Sequence, residues 1–208
     1  RFVGTSYYDG QGFIVKKLLG ATSAVYLSGA AICFQNGTNN EVNVSDYFHE
    51  KDMTFVPIRF DKLDDAVKAF DEGKCDSFTT DVSTLYALRL RLAKPDEAMV
   101  LQDVISKEPL GPAIRQGDDQ WFNIVRWTLF ALINAEELGV KSATVDDLKV
   151  NSKNAAVRSL LGVDGTLGAD MGLDADWAAR VIKAVGNYGE VFDRNLGPET
   201  PLQINRGI

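Results

Sequence analysis

Histidine occurs once in the 208 residues, cysteine twice and methionine three times. That scarcity removes whole classes of chemistry. Zinc is held by three or four Cys, His or carboxylate ligands at short spacing, and neither CxxC nor HExxH is present. With His49 alone, a Ser–His–Asp or Cys–His arrangement has a single candidate, and it stands in Tyr47-Phe48-His49-Glu50-Lys51 near the end of an expected helix. Without positioned partners it reads as a solvated helix residue. No GxGxxG or Walker pattern offers a nucleotide cradle, and no cofactor is implied. Positive charge is also short: 22 Lys plus Arg stand against 29 Asp plus Glu, a net charge of −7. No window supplies the basic stripe that nucleic acid requires. No apolar run approaches the ~18 residues that span a bilayer. What is present is 45% hydrophobic, 25% charged and 10% aromatic, which is globular composition with enough apolar material for a core. The length suits one large domain or two small ones. The sequence begins at Arg1 without a Met or signal peptide and stops at Gly207-Ile208, so a processed protein or a piece of a longer one is expected.

The pattern changes character at about residue 106. Gly12 to Lys16 reads as a short buried strand, and Gly29 to Gln35 as a second apolar run bounded by glycine. Residues 39–51 place Val42, Val44, Tyr47 and Phe48 at loosely helical spacing, with Thr38 as cap and Glu41 at the capping-box position. Thr54 to Phe60 is rich in β-formers, and Pro57 assigns it to a sheet edge. Leu63, Ala66, Val67 and Phe70 share a helical face between Lys62 and Glu72, with Gly73 as the stop. Cys75 to Thr80 is a strand ending at Asp81. Ser83 to Ala93 is a helix aligning Leu85, Leu88 and Leu92, and Met99 to Leu101 is a short strand. This alternation predicts an α/β fold with a mostly parallel sheet covered on both faces. Two Pro and two Gly between Ser106 and Asp119 mark a connection, extended through Leu110 to Arg115. Beyond it the chain reads helical. A long amphipathic helix runs from Gln120 to Leu138, capped by Asp118 or Asp119 and closed by Gly139; Val145–Val150, Ala155–Leu161 and Asp176–Val185 follow. Trp121, Trp127 and Trp177 fall on these helical faces and are expected in the core.

Two places offer binding chemistry. In Gln35-Asn36-Gly37-Thr38-Asn39-Asn40-Glu41 a strand passes through a polar turn into a helix, which aims free N–H groups at the helix's positive end. Such a terminus receives a carboxylate or phosphate, although any α/β unit needs a polar cap there. The second is Thr79-Thr80-Asp81-Val82-Ser83, at the carboxyl end of a strand, where ligands of open parallel sheets bind. Asp81 either accepts an ammonium or caps the helix that begins near Ser83. With a helix terminus for the carboxylate and an Asp for the ammonium, the two places together would read an α-amino acid by its two charges. Cys33 and Cys75 can pair in an oxidising compartment, and their geometry is not legible from sequence.

Longer segments narrow the reading. Tyr7-Tyr8-Asp9-Gly10-Gln11-Gly12-Phe13, Gln35-Asn36-Gly37-Thr38, Gly73-Lys74-Cys75-Asp76 and Thr79-Thr80-Asp81 resemble the amino-acid-binding periplasmic proteins of ABC transporters. The run from Ser106 through Trp121 and that from Gly186 through Asn195 resemble the general L-amino acid binding proteins of Gram-negative bacteria. The resemblance covers essentially the whole chain. It implies a type II periplasmic-binding-protein fold, with two α/β lobes closing like a hinge on a free L-amino acid and a membrane permease as partner. In that frame residues 13–106 are one complete lobe; 1–12 and 107–208 are hinge segments and an incomplete other lobe. Gln35, Gly37 and Thr38 fall on the carboxylate side of the ligand, Asp81 on the ammonium, and Thr80 near the ligand side chain. Asn39 stands where many relatives have a small or hydroxyl residue. The family's first-lobe segment, whose Arg grips the ligand carboxylate, has no counterpart here, so a truncated form with impaired binding is expected. Its helical tail is then expected to self-associate, or to meet a complementary piece, through an exposed apolar face. A periplasmic location permits, without requiring, a Cys33–Cys75 disulfide. Two other classes remain. An enzyme on the same scaffold, such as a carboxylate dehydratase, needs an acid or base in the cleft, and Asp81 is the one carboxylate placed there. A ligand-sensing module is usually fused to a membrane helix or DNA-binding segment.

Overall fold

A computed structural model describes residues 1–206, so the expected stop at Gly207-Ile208 lies outside the described residues. Internal contacts divide the chain into an α/β unit, Tyr7–Pro109, and a helical unit made of Arg1–Ser6 and the chain from Leu110 onward.

The α/β unit runs β1 (Tyr7–Asp9), β2 (Gln11–Lys16), β3 (Ala31–Gln35), α1 (Asn40–Glu50), β4 (Val56–Phe60), α2 (Leu63–Asp71), β5 (Ser77–Asp81), α3 (Val82–Arg89), β6 (Ala98–Val100) and β7 (Glu108–Leu110). The five-stranded sheet has the order β4-β3-β5-β2-β6, and β1 pairs with β7 apart from it. β3 is parallel to both β4 and β5, while β2 runs antiparallel to β5 and β6. The sheet is therefore mostly parallel, with β2 reversed. Side chains alternate across it as a two-residue period demands. Phe13 and Val15 of β2 join Ile32 and Phe34 of β3 against Val44 and Phe48 of α1. On the other face Ile14 and Cys33 join Ala66, Val67 and Phe70 of α2 and Leu85 and Leu88 of α3. Both faces are covered, and Pro57 sits on β4 at the sheet edge, where its missing N–H is harmless. Gly73 ends α2 in the left-handed region at φ +75°. A disulfide joins Cys33 of β3 to Cys75, just before β5, with Cα atoms 5.8 Å apart.

The helical unit holds α4 (Asp119–Glu137), α5 (Val145–Asn151), α6 (Ala155–Leu160), α7 (Trp177–Val185) and α8 (Tyr188–Asn195). Asp118 caps α4 by accepting the Trp121 N–H at 2.9 Å, and Gly139 follows at φ +69°. Ala135, Val140, Val145, Val157, Leu161 and Ile182 form its main cluster. No helix among the described residues is long and apolar enough to cross a membrane.

Four expectations are corrected. The Thr38–Glu41 capping box does not form, because Glu41 is drawn to Arg59, whose Nε donates to it at 2.9 Å. α3 stops at Arg89 rather than Ala93, and Leu92 reaches the core from a turn. Trp177 is buried, but Trp121 and Trp127 stay 52% and 51% exposed. Helical spacing shows which residues share a face, and says nothing of whether a neighbour covers it. Finally, α8 is a helix that the periodicity did not reveal; it is fixed by a capping box between Asn187 and Glu190.

Candidate functional site

Parallel pairing of β3 with β5 brings their carboxyl ends to the same edge of the sheet. After β3 the chain turns at Gly37, whose φ of +74° suits glycine. Thr38 Oγ1 donates to the Gln35 carbonyl at 2.8 Å and accepts the Asn40 N–H at 3.3 Å, which delivers the chain into α1. Thr80 and Asp81, the last two residues of β5, arrive beside this turn. The third wall is the segment before β7. It lies so close to the start of β2 that a Cβ on Gly10 would meet the Ser106 carbonyl at 2.3 Å. The result is an open cavity of about 560 Å³ lined by Thr38, Asn39, Asn40, Asn43, Thr80, Asp81, Ser106 and Glu108.

Of the residues singled out in the sequence, Thr38, Thr80 and Asp81 meet in this cavity, and Asn39, to which the sequence assigned no role, lines it as well. Gln35 and Gly37 do not line it. The Gln35 amide donates to the Asp61 carbonyl at 3.2 Å, and Gly37 supplies the turn. Asn40, Asn43, Ser106 and Glu108 were not anticipated as lining residues. The cluster Asn39-Asn40-Glu41-Val42-Asn43 carried a signal, since three amides in one helical turn are poor helix formers with a use for their side chains. Ser106 and Glu108 carried none, lying in what reads as a connection.

Asp81 stands at the N-cap position of α3 and makes no side-chain capping bond. The buried Asp9 takes that role: its carboxylate accepts the Ser83 N–H at 3.3 Å and the Ser83 hydroxyl as well. Asp81 is thereby released toward the cavity. Burial pushes its carboxyl above the ordinary range, and the nearby charges of Glu108 and Asp9 push it further, against the opposing pull of its own backbone hydrogen bond. Glu108 is held in place by the Ser106 hydroxyl, which donates to it at 2.8 Å. The eight lining residues thus offer two carboxylates, hydroxyls, amides and the first turn of α1, with no Lys or Arg among them. Such a set favours a ligand carrying an ammonium. No grouping of His, Cys, Asp and Glu among the described residues could hold a metal ion.

No family model matches the chain. Individual proteins do. The general L-amino acid-binding periplasmic protein AapJ of Rhizobium johnstonii is 55% identical over the whole chain, which covers 61% of that protein. The glutamate/glutamine/aspartate/asparagine-binding protein BztA of Rhodobacter capsulatus is 45% identical, again over the whole chain and 61% of the relative. Among solved structures, an ABC transporter periplasmic binding protein from Brucella ovis with glutathione bound superposes with a TM-score of 0.88 at 49% identity. That match covers 99% of this chain and 65% of the other. The chain is homologous to amino-acid-binding periplasmic proteins of ABC transporters. Its fold is that of the type II periplasmic binding proteins, and it spans about three fifths of the length of the curated relatives it matches.

Proposed function

We propose that the chain belongs to the solute-capturing component of a periplasmic amino-acid importer, and that it grips the ligand by its α-ammonium and α-carboxylate. The observation that carries this is the release of Asp81. Asp9 caps α3 in its place, and Asp81 faces the same cavity as Glu108 and the first turn of α1. Ammonium goes to the acids, and carboxylate to the main-chain N–H groups at the turn of Thr38 and the start of α1. The ligands named for the relatives support the same reading. General L-amino acids and the four acidic or amide amino acids share only that charge pair. Glutathione, bound in the Brucella protein, carries the pair at its γ-glutamyl end.

In this proposal residues 13–106 act as one lobe, with 1–12 and 107–208 as hinge segments and part of another. The intact protein is periplasmic, hands its solute to a membrane permease, and turns nothing over. The chain covers 61% of its relatives, whose remaining length supplies the other half of the grip. The 208 residues alone therefore bind weakly, and their half-exposed Trp121 and Trp127 belong to a face that self-association or a complementary piece would cover. Calorimetry of the chain against a panel of L-amino acids and glutathione tests the site. Weak heats across the panel, abolished by Asp81→Ala, are expected. Tight binding of one side-chain class, product formation, or unchanged binding in the Asp81 variant would overturn the proposal.

A further inference from the structure

Beneath the cavity lies a buried amide with a fixed sense. Gln11 on β2 is fully buried. Its Nε2 donates to the Asn40 carbonyl and to Thr79 Oγ1, each at 2.9 Å. A carbonyl can only accept. Thr79 gives its own proton to the Gly12 carbonyl at 2.6 Å, so its oxygen also accepts from Gln11. Both contacts demand the nitrogen of the amide, and turning Gln11 over would set its oxygen against two acceptors. Gln11 Oε1 is thereby committed to facing Asn43, whose Nδ2 donates to it at 2.9 Å. Asn43 Nδ2 gives one of its two protons to Gln11, which fixes the sense of the Asn43 amide and leaves Oδ1 as its acceptor for the cavity that Asn43 lines. The main chain of Gln11 acts in the same sense. Its N–H donates to Ser106 Oγ at 2.8 Å, and the Ser106 proton goes to Glu108.

We propose that Asn43 Oδ1 is a third acceptor for the ligand's amine, and that Gln11 is the positioning residue that fixes its polarity. The proposal rests on the reading of this cavity as an ammonium site. A primary ammonium carries three N–H donors. Asp81 and Glu108 supply two acceptors, and burial together with the charge of Glu108 already raises the Asp81 carboxyl above its ordinary range. A third carboxylate would deepen that penalty, whereas a neutral amide oxygen adds an acceptor without adding charge. The cavity then selects primary amines by counting hydrogens, whatever the ligand's side chain.

The test is an NMR titration of the 15N-labelled chain with L-glutamine, with thermal melting recorded in parallel. Asn43→Ala, Gln11→Met and the double variant are compared with the parent. Each single variant is expected to weaken binding about tenfold, the size of one hydrogen bond to a charged partner. The double variant is expected to be no weaker than the weaker single, since both remove one contact. A merely structural Gln11 would lower the melting temperature of its variant and leave the affinity within about twofold. That result, or additive losses, overturns the proposal and leaves the ammonium site standing. No binding by the parent overturns the site and this proposal with it. The parent also gives a readout that no folding defect can obscure. Slowly exchanging side-chain amide protons are expected for Gln11 and Asn43, with only those of Asn43 shifting on addition of L-glutamine; fast exchange at both overturns the fixed polarity.

Discussion

Reduction of the Cys33–Cys75 disulfide offers a perturbation whose size follows from the fold. The bond closes a loop with a sequence separation of 42, which contains α1, β4 and α2. In the chain-entropy picture, closing a loop of that length removes about 13 cal/mol/K from the unfolded chain, or about 4 kcal/mol at 25 °C. Both cysteines are buried in the cluster beneath α2 and α3, so the reduced thiols keep their apolar surroundings and add little to the loss. For a unit of roughly a hundred residues with m near 1–3 kcal/mol per molar urea, about 4 kcal/mol lowers the midpoint by roughly 1–4 M. The effect can be localised, because all three tryptophans, Trp121, Trp127 and Trp177, lie in the helical unit and the disulfide lies in the α/β unit. Urea titrations with and without reductant, followed by far-UV circular dichroism and by tryptophan fluorescence, should therefore diverge. The dichroism curve, which reports the helices of both units, is expected to gain a component displaced by at least 1 M while the fluorescence transition holds its place. A loss below about 1 kcal/mol, or an equal displacement of both probes, would refute the reasoning. Because β3 leads into the Thr38 turn and Cys75 precedes β5, the same bond ties together two walls of the cavity, and reduction is expected to weaken ligand binding as well.

The remaining expectations concern single side chains. Asp81 has its pKa raised in the folded chain, so its ionisation costs stability once the pH rises above the ordinary carboxylate range. Asp81→Asn is accordingly expected to raise the urea midpoint at pH 7, to lose that gain in acid, and to abolish amino-acid binding; a lower midpoint at pH 7 would contradict the assignment. Glu190 is the opposite case. Burial pushes its carboxyl up, but the Ser142 hydroxyl and the amides of Asn187 and Ser142 together hold it below its usual value. Glu190→Gln should lower stability at pH 7, with the penalty shrinking as pH falls through the depressed pKa; a pH-independent penalty would argue against it. Asn187→Ala removes the cap of α8 and leaves the Val140 carbonyl without its 2.9 Å donor, a loss of about 2–3 kcal/mol readable by tryptophan fluorescence in urea.

Local chemistry was legible in the sequence where a residue has few conformational options. Pro57 marked an edge strand, Gly73 and Gly139 marked helix ends, and apolar strand runs alternating with helices marked a sheet covered on both faces. Thr38, Thr80 and Asp81 were legible as cavity residues because the carboxyl ends of parallel strands must share an edge. What escaped were contacts between distant segments. Whether Asp81 caps α3 or stays free to line the cavity is decided by Asp9, 74 residues from the Ser83 it caps. Ser106 and Glu108 enter the cavity because Gly10 lets their segment lie against β2, 95 residues away by the Gln11–Ser106 bond. Gln11 has the look of a misplaced polar residue in an apolar strand until its three amide partners are seen. The Asn187–Glu190 capping box was written in the sequence, but it precedes a helix whose short apolar face gave no period to notice.

The most direct measurement is the residue-resolved location of a bound amino acid. L-glutamine added to the 15N-labelled chain, up to about 10 mM to cover weak binding, is expected to shift amides at Thr38 to Asn43, at Thr80 and Asp81, and at Ser106 to Glu108. It should leave untouched the apolar cavity lined by Ile133, Leu138, Leu160 and Leu167. Shifts at that second cavity, or none at the first, would contradict the assignment of the ammonium and carboxylate site to Asp81, Glu108 and the start of α1.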